Sequence, residues 1–221
     1  MTMQRKKKAA IFDLDGTLLD SMHVWYEVDE IFLARRNIAL PADYAEALAP
    51  MGFAAAAVYT KNRFALPETE SAIIAEWNAL ATEAYETRVP LKPYAKEYLV
   101  SLQKRHIPIS AATASLPQFY MPALKRLGIW SCFSSITELS EVSHGKGSPD
   151  IYLRAAEKMG HSPEDCVVFE DIVPGIRGAA AGGFYTVAVY DDAQTANKDL
   201  LCAISDRSIS SFAEMLADDL F

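Results

Sequence analysis

A chain of 221 residues, 51% of them hydrophobic, is long enough to bury a core, and this composition excludes disorder as the main state. Its 21 basic against 29 acidic residues leave a net charge of −8, which argues against a protein built to grip a phosphate backbone, so no nucleic-acid partner is expected. Three scattered cysteines, Cys132, Cys166 and Cys202, with no CxxC spacing, suit reduced thiols in a cytoplasmic protein better than disulfides or a zinc site.

The chain opens on a basic run, Arg5, Lys6, Lys7 and Lys8. The apolar segment after it stops at Asp13, so it makes no signal peptide and reads as a solvated lead-in to a first strand at 9–13. No stretch reaches ~18 uninterrupted apolar residues, so no membrane span is expected.

That strand ends Phe12-Asp13-Leu14-Asp15-Gly16-Thr17. Two carboxylates two positions apart, with a glycine to allow a tight turn, can converge on one point. Bare, they repel, so a cation or proton must be shared, and Mg²⁺ with its preference for carboxylates, water and phosphate fits. An ionised Asp13 can then attack phosphorus while a protonated Asp15 gives its proton to the leaving oxygen. The same residues also read as an Asx turn capping the next helix.

Residues 19–90 hold no convincing strand. They are rich in Ala, Glu and aromatic residues, show helical spacing at Trp25, Val28 and Phe32, and are punctuated by Pro41, Pro50-Met51-Gly52 and Pro67. This is a helical insertion, with 11 acidic and five basic residues. His23, Trp25, Tyr26, Met51 and Phe53 can face a substrate or simply pack helix on helix; His23 is the preferred substrate contact.

Beyond the insertion, strands at 107–112, 134–137, 167–171 and 185–189 alternate with helices at 94–105, 117–127, 150–159 and 174–181, and a last helix at 211–220 closes the chain. This cadence predicts an α/β architecture with a parallel sheet covered by helices. Open parallel sheets bind ligands at the carboxyl ends of their strands. Thr113-Ala114-Ser115 ends the second strand and offers a hydroxyl and backbone N–H groups to an oxyanion, or a helix N-cap. Lys146 sits in a loop between Gly145 and Gly147, either solvated or neutralising a phosphate and a carboxylate. Glu170-Asp171 ends the fourth strand, as surface charge or as the third carboxylate of an oxygen cage. Gly175, Gly178, Ala179 and Gly182 share a helical face suited to close packing on the sheet, and the glycine spacing is wrong for a dinucleotide-binding GxGxxG.

Taken together, Asp13-Leu-Asp15-Gly-Thr, Thr113-Ala-Ser, Lys146 with Pro149-Asp150, and Glu170-Asp171 with Gly175 resemble the four motifs of the haloacid dehalogenase superfamily, in the family's order and spacing. The insertion looks like the helical cap of its β-phosphoglucomutase-like subfamily. The resemblance implies a Rossmann-like core of residues 1–18 and 91–221 interrupted by an α-helical bundle cap domain, 19–90. It implies Asp13 as nucleophile of an aspartyl-phosphate and Asp15 as general acid/base. Thr113, Ala114 and Lys146 would hold the phosphoryl group. Asp13, the Asp15 main-chain carbonyl and Asp171 would bind Mg²⁺, with Glu170 supporting them.

The expected activity is that of a Mg²⁺-dependent phosphatase, a monomer, acting on a small phosphorylated metabolite. A sugar phosphomutase is the nearest alternative; its second phosphate needs basic cap residues, and the segment 52–58 where one would look holds only Gly, Phe, Ala and Val. A catalytically silent metabolite-binding protein and a nucleotide-dependent oxidoreductase are alternatives of other classes.

Overall fold

Ala9–Phe12 forms strand β1, four apolar residues all buried. The structure, a computed structural model, describes residues 6–48 and 51–221; Arg5 of the basic lead-in and Pro50 of the insertion lie outside the described residues. After β1 come helices α1 (Val24–Ala34), α2 (Tyr44–Leu48), α3 (Phe53–Phe64) and α4 (Glu70–Thr87). Helix α5 (Ala95–Lys104), β2 (Ile109–Thr113), α6 (Pro117–Arg126), β3 (Ser135–Glu138) and α7 (Asp150–Met159) follow. The chain then runs through β4 (Cys166–Glu170), α8 (Val173–Ala181), β5 (Tyr185–Val189), α9 (Lys198–Ile204), β6 (Arg207–Ile209) and α10 (Ala213–Leu216). It divides into two compact units, Met1–Met22 with Val89–Phe221, and His23–Arg88. Among the described residues no helix is long and apolar enough to cross a membrane.

In the first unit all six strands are parallel, in the order β3-β2-β1-β4-β5-β6. Both faces of the central strands are covered, which is why β1 and β4 read as continuous apolar runs rather than as alternating ones. Ala9 and Ile11 join Ile151, Tyr152 and Ala155 of α7 on one face. Phe12 points to the other, where it stacks on Phe169 with centroids 4.4 Å apart beside Tyr98 and Phe212. The strand order reverses between β1 and β4, the point where such sheets open a crevice for ligands. There the register pairs Phe12 with Phe169, so Asp13 emerges beside Glu170 and Asp171.

Strand β2 starts later than the expected 107 because Pro108 contributes only its carbonyl, which accepts from the Ala10 N–H at 3.0 Å. Strand β6 and helix α9 were not expected. Arg207-Ser208-Ile209 is three residues long and only Ile209 is buried, too little for a period to register. The last helix is shorter than the expected 211–220, since the Asp218 carboxylate takes the Leu220 N–H at 2.7 Å and turns the chain.

The chain leaves and re-enters this unit on two short antiparallel segments. Leu19 bridges Leu91, the Lys92 N–H donates to Leu18 at 2.9 Å, and the Asp20 N–H donates to Pro90 at 3.0 Å. Lys92 pairs with the buried Asp191 and lies 3.6 Å from Asp20.

The second unit is helical. Val24, Val28, Phe32 and Leu33 form the buried stripe of α1, and Ile73, Trp77, Leu80 and Ala84 that of α4. Phe32 meets Trp77 edge to face at 5.6 Å, and Phe53 lies between Trp25 (5.2 Å) and Trp77 (6.3 Å). Trp25 and Phe53 thus meet across helices, although Phe53 stays 44% exposed, and Tyr26 is 56% exposed.

Helix α1 also carries Asp29, whose carboxyl is pushed by burial from its ordinary 3.8 to about 7. Between those values the folded unit keeps a proton that the unfolded chain has released. The stability from this group is full at low pH and is lost as pH rises towards 7. Asp29→Asn is expected to raise the thermal midpoint at about pH 8 and leave it unchanged at about pH 4. Equal shifts at both pH values in a melting series would contradict burial as the cause.

Candidate active site

Three strand ends and the loop before α7 supply the polar groups, and the first unit brings most of them together. Asp13, Glu170 and Asp171 are all buried, and one carboxylate oxygen from each lies within 4.8 Å of the others. Lys146, only 8% exposed, places its ammonium between Asp13 Oδ1, in direct contact, and Glu170 Oε1 at 2.5 Å. Thr17 Oγ1 donates to Asp171 Oδ1 at 3.1 Å. Asp171 Oδ2 is buried and, among the described residues, has no hydrogen-bond partner.

Burial pushes the Asp13 carboxyl well above the usual carboxylate range, against the pull of Lys146. Asp171 is pushed up to about 7, by burial first and the neighbouring Glu170 second. Burial alone would lower Lys146, but the Asp13 and Glu170 carboxylates outweigh it and hold the ammonium above its ordinary value. Three carboxylates share one ammonium, so full ionisation leaves two negative charges unbalanced, the charge of a divalent cation. The donors are hard oxygens, one of them an Asp171 oxygen with no hydrogen-bond partner among the described residues, and this set fits a hard divalent cation.

The local chain explains the convergence. Gly16 has φ +84°, a left-handed turn, and a Cβ there would overlap the Asp171 carboxylate. The turn brings Asp15 back towards the segment that leaves β1, where Ser21 Oγ donates to Asp15 Oδ1 at 2.6 Å. Thr113, fully buried, ends β2, and its hydroxyl accepts from the Ser115 N–H at 3.0 Å. Ala114 beside it is exposed.

The bland alternatives do not describe these side chains. Helix α6 begins without a side-chain cap, so neither Thr113 nor Ser115 serves as one. The Lys146 ammonium is not solvated, and Glu170 and Asp171 are not surface charges.

The glycine face of α8 packs on the sheet as expected at Gly175, against Glu170 of β4, and on the Lys146 loop as well at Gly178. A Cβ at Gly175 would overlap the Glu170 carboxylate, and one at Gly178 the main chain of the Lys146 loop. Two groups were missed. Tyr152, buried in α7, donates its hydroxyl to Glu170 Oε1 at 2.8 Å, and burial together with Glu170 pushes that hydroxyl far above its ordinary value. Ser21 is the other. A tyrosine among Ile151, Ala155 and Ala156, six residues after Lys146, was the available signal for the first; nothing in the spacing marked the second. His23 belongs to the helical unit, at the N-cap of α1, exposed and 3.6 Å from Glu27.

Comparison with known proteins gives concordant matches. The family model of haloacid dehalogenase-like hydrolases matches residues 7–183. Hexitol phosphatase B of Escherichia coli (strain K12) is 26% identical over 100% of this chain and 99% of its own length. Hexitol phosphatase A of the same strain is 30% identical over 85% of both. Among solved structures, a Thermotoga maritima protein described as a candidate β-phosphoglucomutase has the same fold, with a TM-score of 0.82, 21% identity and coverage of 91% of this chain and 94% of that one.

Proposed function

Because the chain belongs to the haloacid dehalogenase-like hydrolases, we propose that it is a Mg²⁺-dependent phosphatase of a small, sugar phosphate-like metabolite. The relatives named as hexitol phosphatases support a polyol or sugar leaving group. The observation that carries hydrolysis over mutase chemistry lies in the helical unit. All five of its basic side chains are already paired to carboxylates of that unit: Arg35 and Arg36 to Glu76, Lys61 to Glu70, Arg63 to Asp43 and Arg88 to Glu27. None is left to hold a second phosphate without breaking a pair, so an uncharged leaving group fits better.

Asp13 is the nucleophile. Its carboxylate oxygen attacks phosphorus as the bond to the ester oxygen breaks, leaving a phosphoryl group on Asp13. Asp15, oriented by Ser21, gives its proton to the departing alkoxide and then takes one from the water that attacks the same phosphorus, releasing phosphate and freeing Asp13. Lys146, with the Thr113 hydroxyl and the Ala114 N–H, holds the phosphoryl oxygens. Asp13, the Asp15 main-chain carbonyl and Asp171 would hold Mg²⁺, with Glu170 in support. The cation, when bound, offsets the carboxylate charge and that of the phosphoryl oxygens. The unit His23–Arg88 acts as the substrate-selecting cap, with His23 as a substrate contact.

Phosphate release from polyol and hexose phosphates, with Mg²⁺ and with EDTA, tests this reading. Release with Mg²⁺, abolished by EDTA and restored by added Mg²⁺, is expected. Isomerisation of a hexose 1-phosphate outpacing phosphate release, in the presence of its bisphosphate, would instead establish a mutase. Asp15→Asn is expected to lower kcat for an alkyl phosphate by about 10²- to 10⁴-fold. An activated aryl phosphate, whose leaving group needs no proton, should fall far less. Equal losses on the two esters would remove Asp15 from the acid role.

A further inference from the structure

Glu170 is held on every side although it makes no contact assigned to the phosphoryl group. Its Oε1 accepts from Lys146 at 2.5 Å and from Tyr152 at 2.8 Å, its Oε2 accepts from the Asp171 N–H at 3.2 Å, and Gly175 leaves no room beyond it. The Lys146 ammonium is shared between this oxygen and Asp13. How strongly Glu170 draws the ammonium therefore decides how much of it is left for Asp13 and the substrate. A second donor on the same oxygen spreads the charge of Glu170 and weakens that draw. Tyr152 is that donor, fully buried, on the first turn of the helix that follows the Lys146 loop.

We propose that Tyr152 is a positioning residue for the Lys146 ammonium, acting through the Glu170 carboxylate. The proposal rests on the phosphatase reading for its kinetic consequence and on the observed contacts for its geometry. Without the hydroxyl, Glu170 holds Lys146 more tightly and the ammonium recedes from Asp13. Tyr152→Phe keeps the ring that meets Phe184 edge to face at 6.3 Å and removes one oxygen.

The test is a double-mutant cycle with Glu170→Gln, read as kcat at saturating Mg²⁺. Tyr152→Phe is expected to lower kcat about tenfold in the wild-type background and less than about twofold in Glu170→Gln. A residue that served the fold alone would cost the same in both. A second readout needs neither turnover nor the Glu170 variant. In metal-free protein, the ¹⁵N resonance of the Lys146 ammonium should move in Tyr152→Phe and stay in place in Tyr98→Phe, which removes a buried hydroxyl that has no partner among the described residues. Wild-type kcat in Tyr152→Phe, equal losses in the two backgrounds, or an unmoved Lys146 resonance would overturn the proposal. A wild-type protein that releases no phosphate would overturn the phosphatase reading instead, and the resonance comparison would still decide the role of Tyr152.

Discussion

Asp13→Asn is expected to remove turnover, by a factor on the order of 10⁴ or more in kcat, while the protein stays folded. An amide nitrogen or oxygen cannot replace the carboxylate as nucleophile, and no neighbouring carboxylate can take over. Glu170 is fastened by Lys146, Tyr152 and the Asp171 N–H, and Asp171 is held at Oδ1 by Thr17 with its other oxygen assigned to the cation. The substitution also removes one of three crowded, buried carboxylates, so the loss cannot be ascribed to a new buried charge. Steady-state phosphate release beside a thermal melt checks it. Activity within tenfold of wild type would show that phosphorus is attacked by something other than Asp13.

Lys146→Met is expected to cost both activity and stability. The methionine fills much of the same volume but leaves Asp13, Glu170 and Asp171 buried within 4.8 Å of one another without their ammonium. Breaking a buried pair in this way costs about 3 kcal/mol, and removing a charge aimed at the phosphoryl oxygens costs on the order of 10²- to 10³-fold in kcat. Denaturant unfolding without divalent cation reads the first effect, and kcat with Mg²⁺ the second. Added Mg²⁺ should stabilise the variant more than the wild type, because it then supplies the only positive charge in the cluster. A variant as stable as wild type without Mg²⁺ would mean that the carboxylates do not depend on Lys146.

Three of the four candidate groups, Asp13 with Asp15, Thr113, and Glu170 with Asp171, were legible because each lies where an apolar run stops. Phe12 and Phe169 end runs buried on both faces, and the carboxylates after them have nowhere to go but the end of the sheet. Lys146 was legible only as a lysine in a loop; its burial depends on Gly178, whose missing side chain lets the loop lie against α8. Gly178 itself was read as a contact with the sheet, since helical periodicity reports a shared face and not what covers it. Tyr152 was hidden for a related reason: its ring belongs to the apolar face of α7, so the period assigns it to the core and is silent about its hydroxyl. In the insertion, the scarcity of basic residues was visible, but their pairing was not. Arg36 reaches Glu68 and Glu76 across 32 and 40 residues of chain, distances over which spacing carries no information. Strand β6 escaped because a three-residue edge strand with one buried side chain has no pattern to read.

The most direct test of the account is to find where the phosphoryl group goes. Rapid quenching of the enzyme during turnover, reduction of any acyl phosphate with borohydride and peptide mass analysis convert a phosphorylated aspartate into homoserine. Homoserine at position 13, and at neither 15 nor 171, is the predicted result. Full turnover with no homoserine at position 13, or with homoserine at another aspartate, would contradict Asp13 as the residue that carries the phosphoryl group.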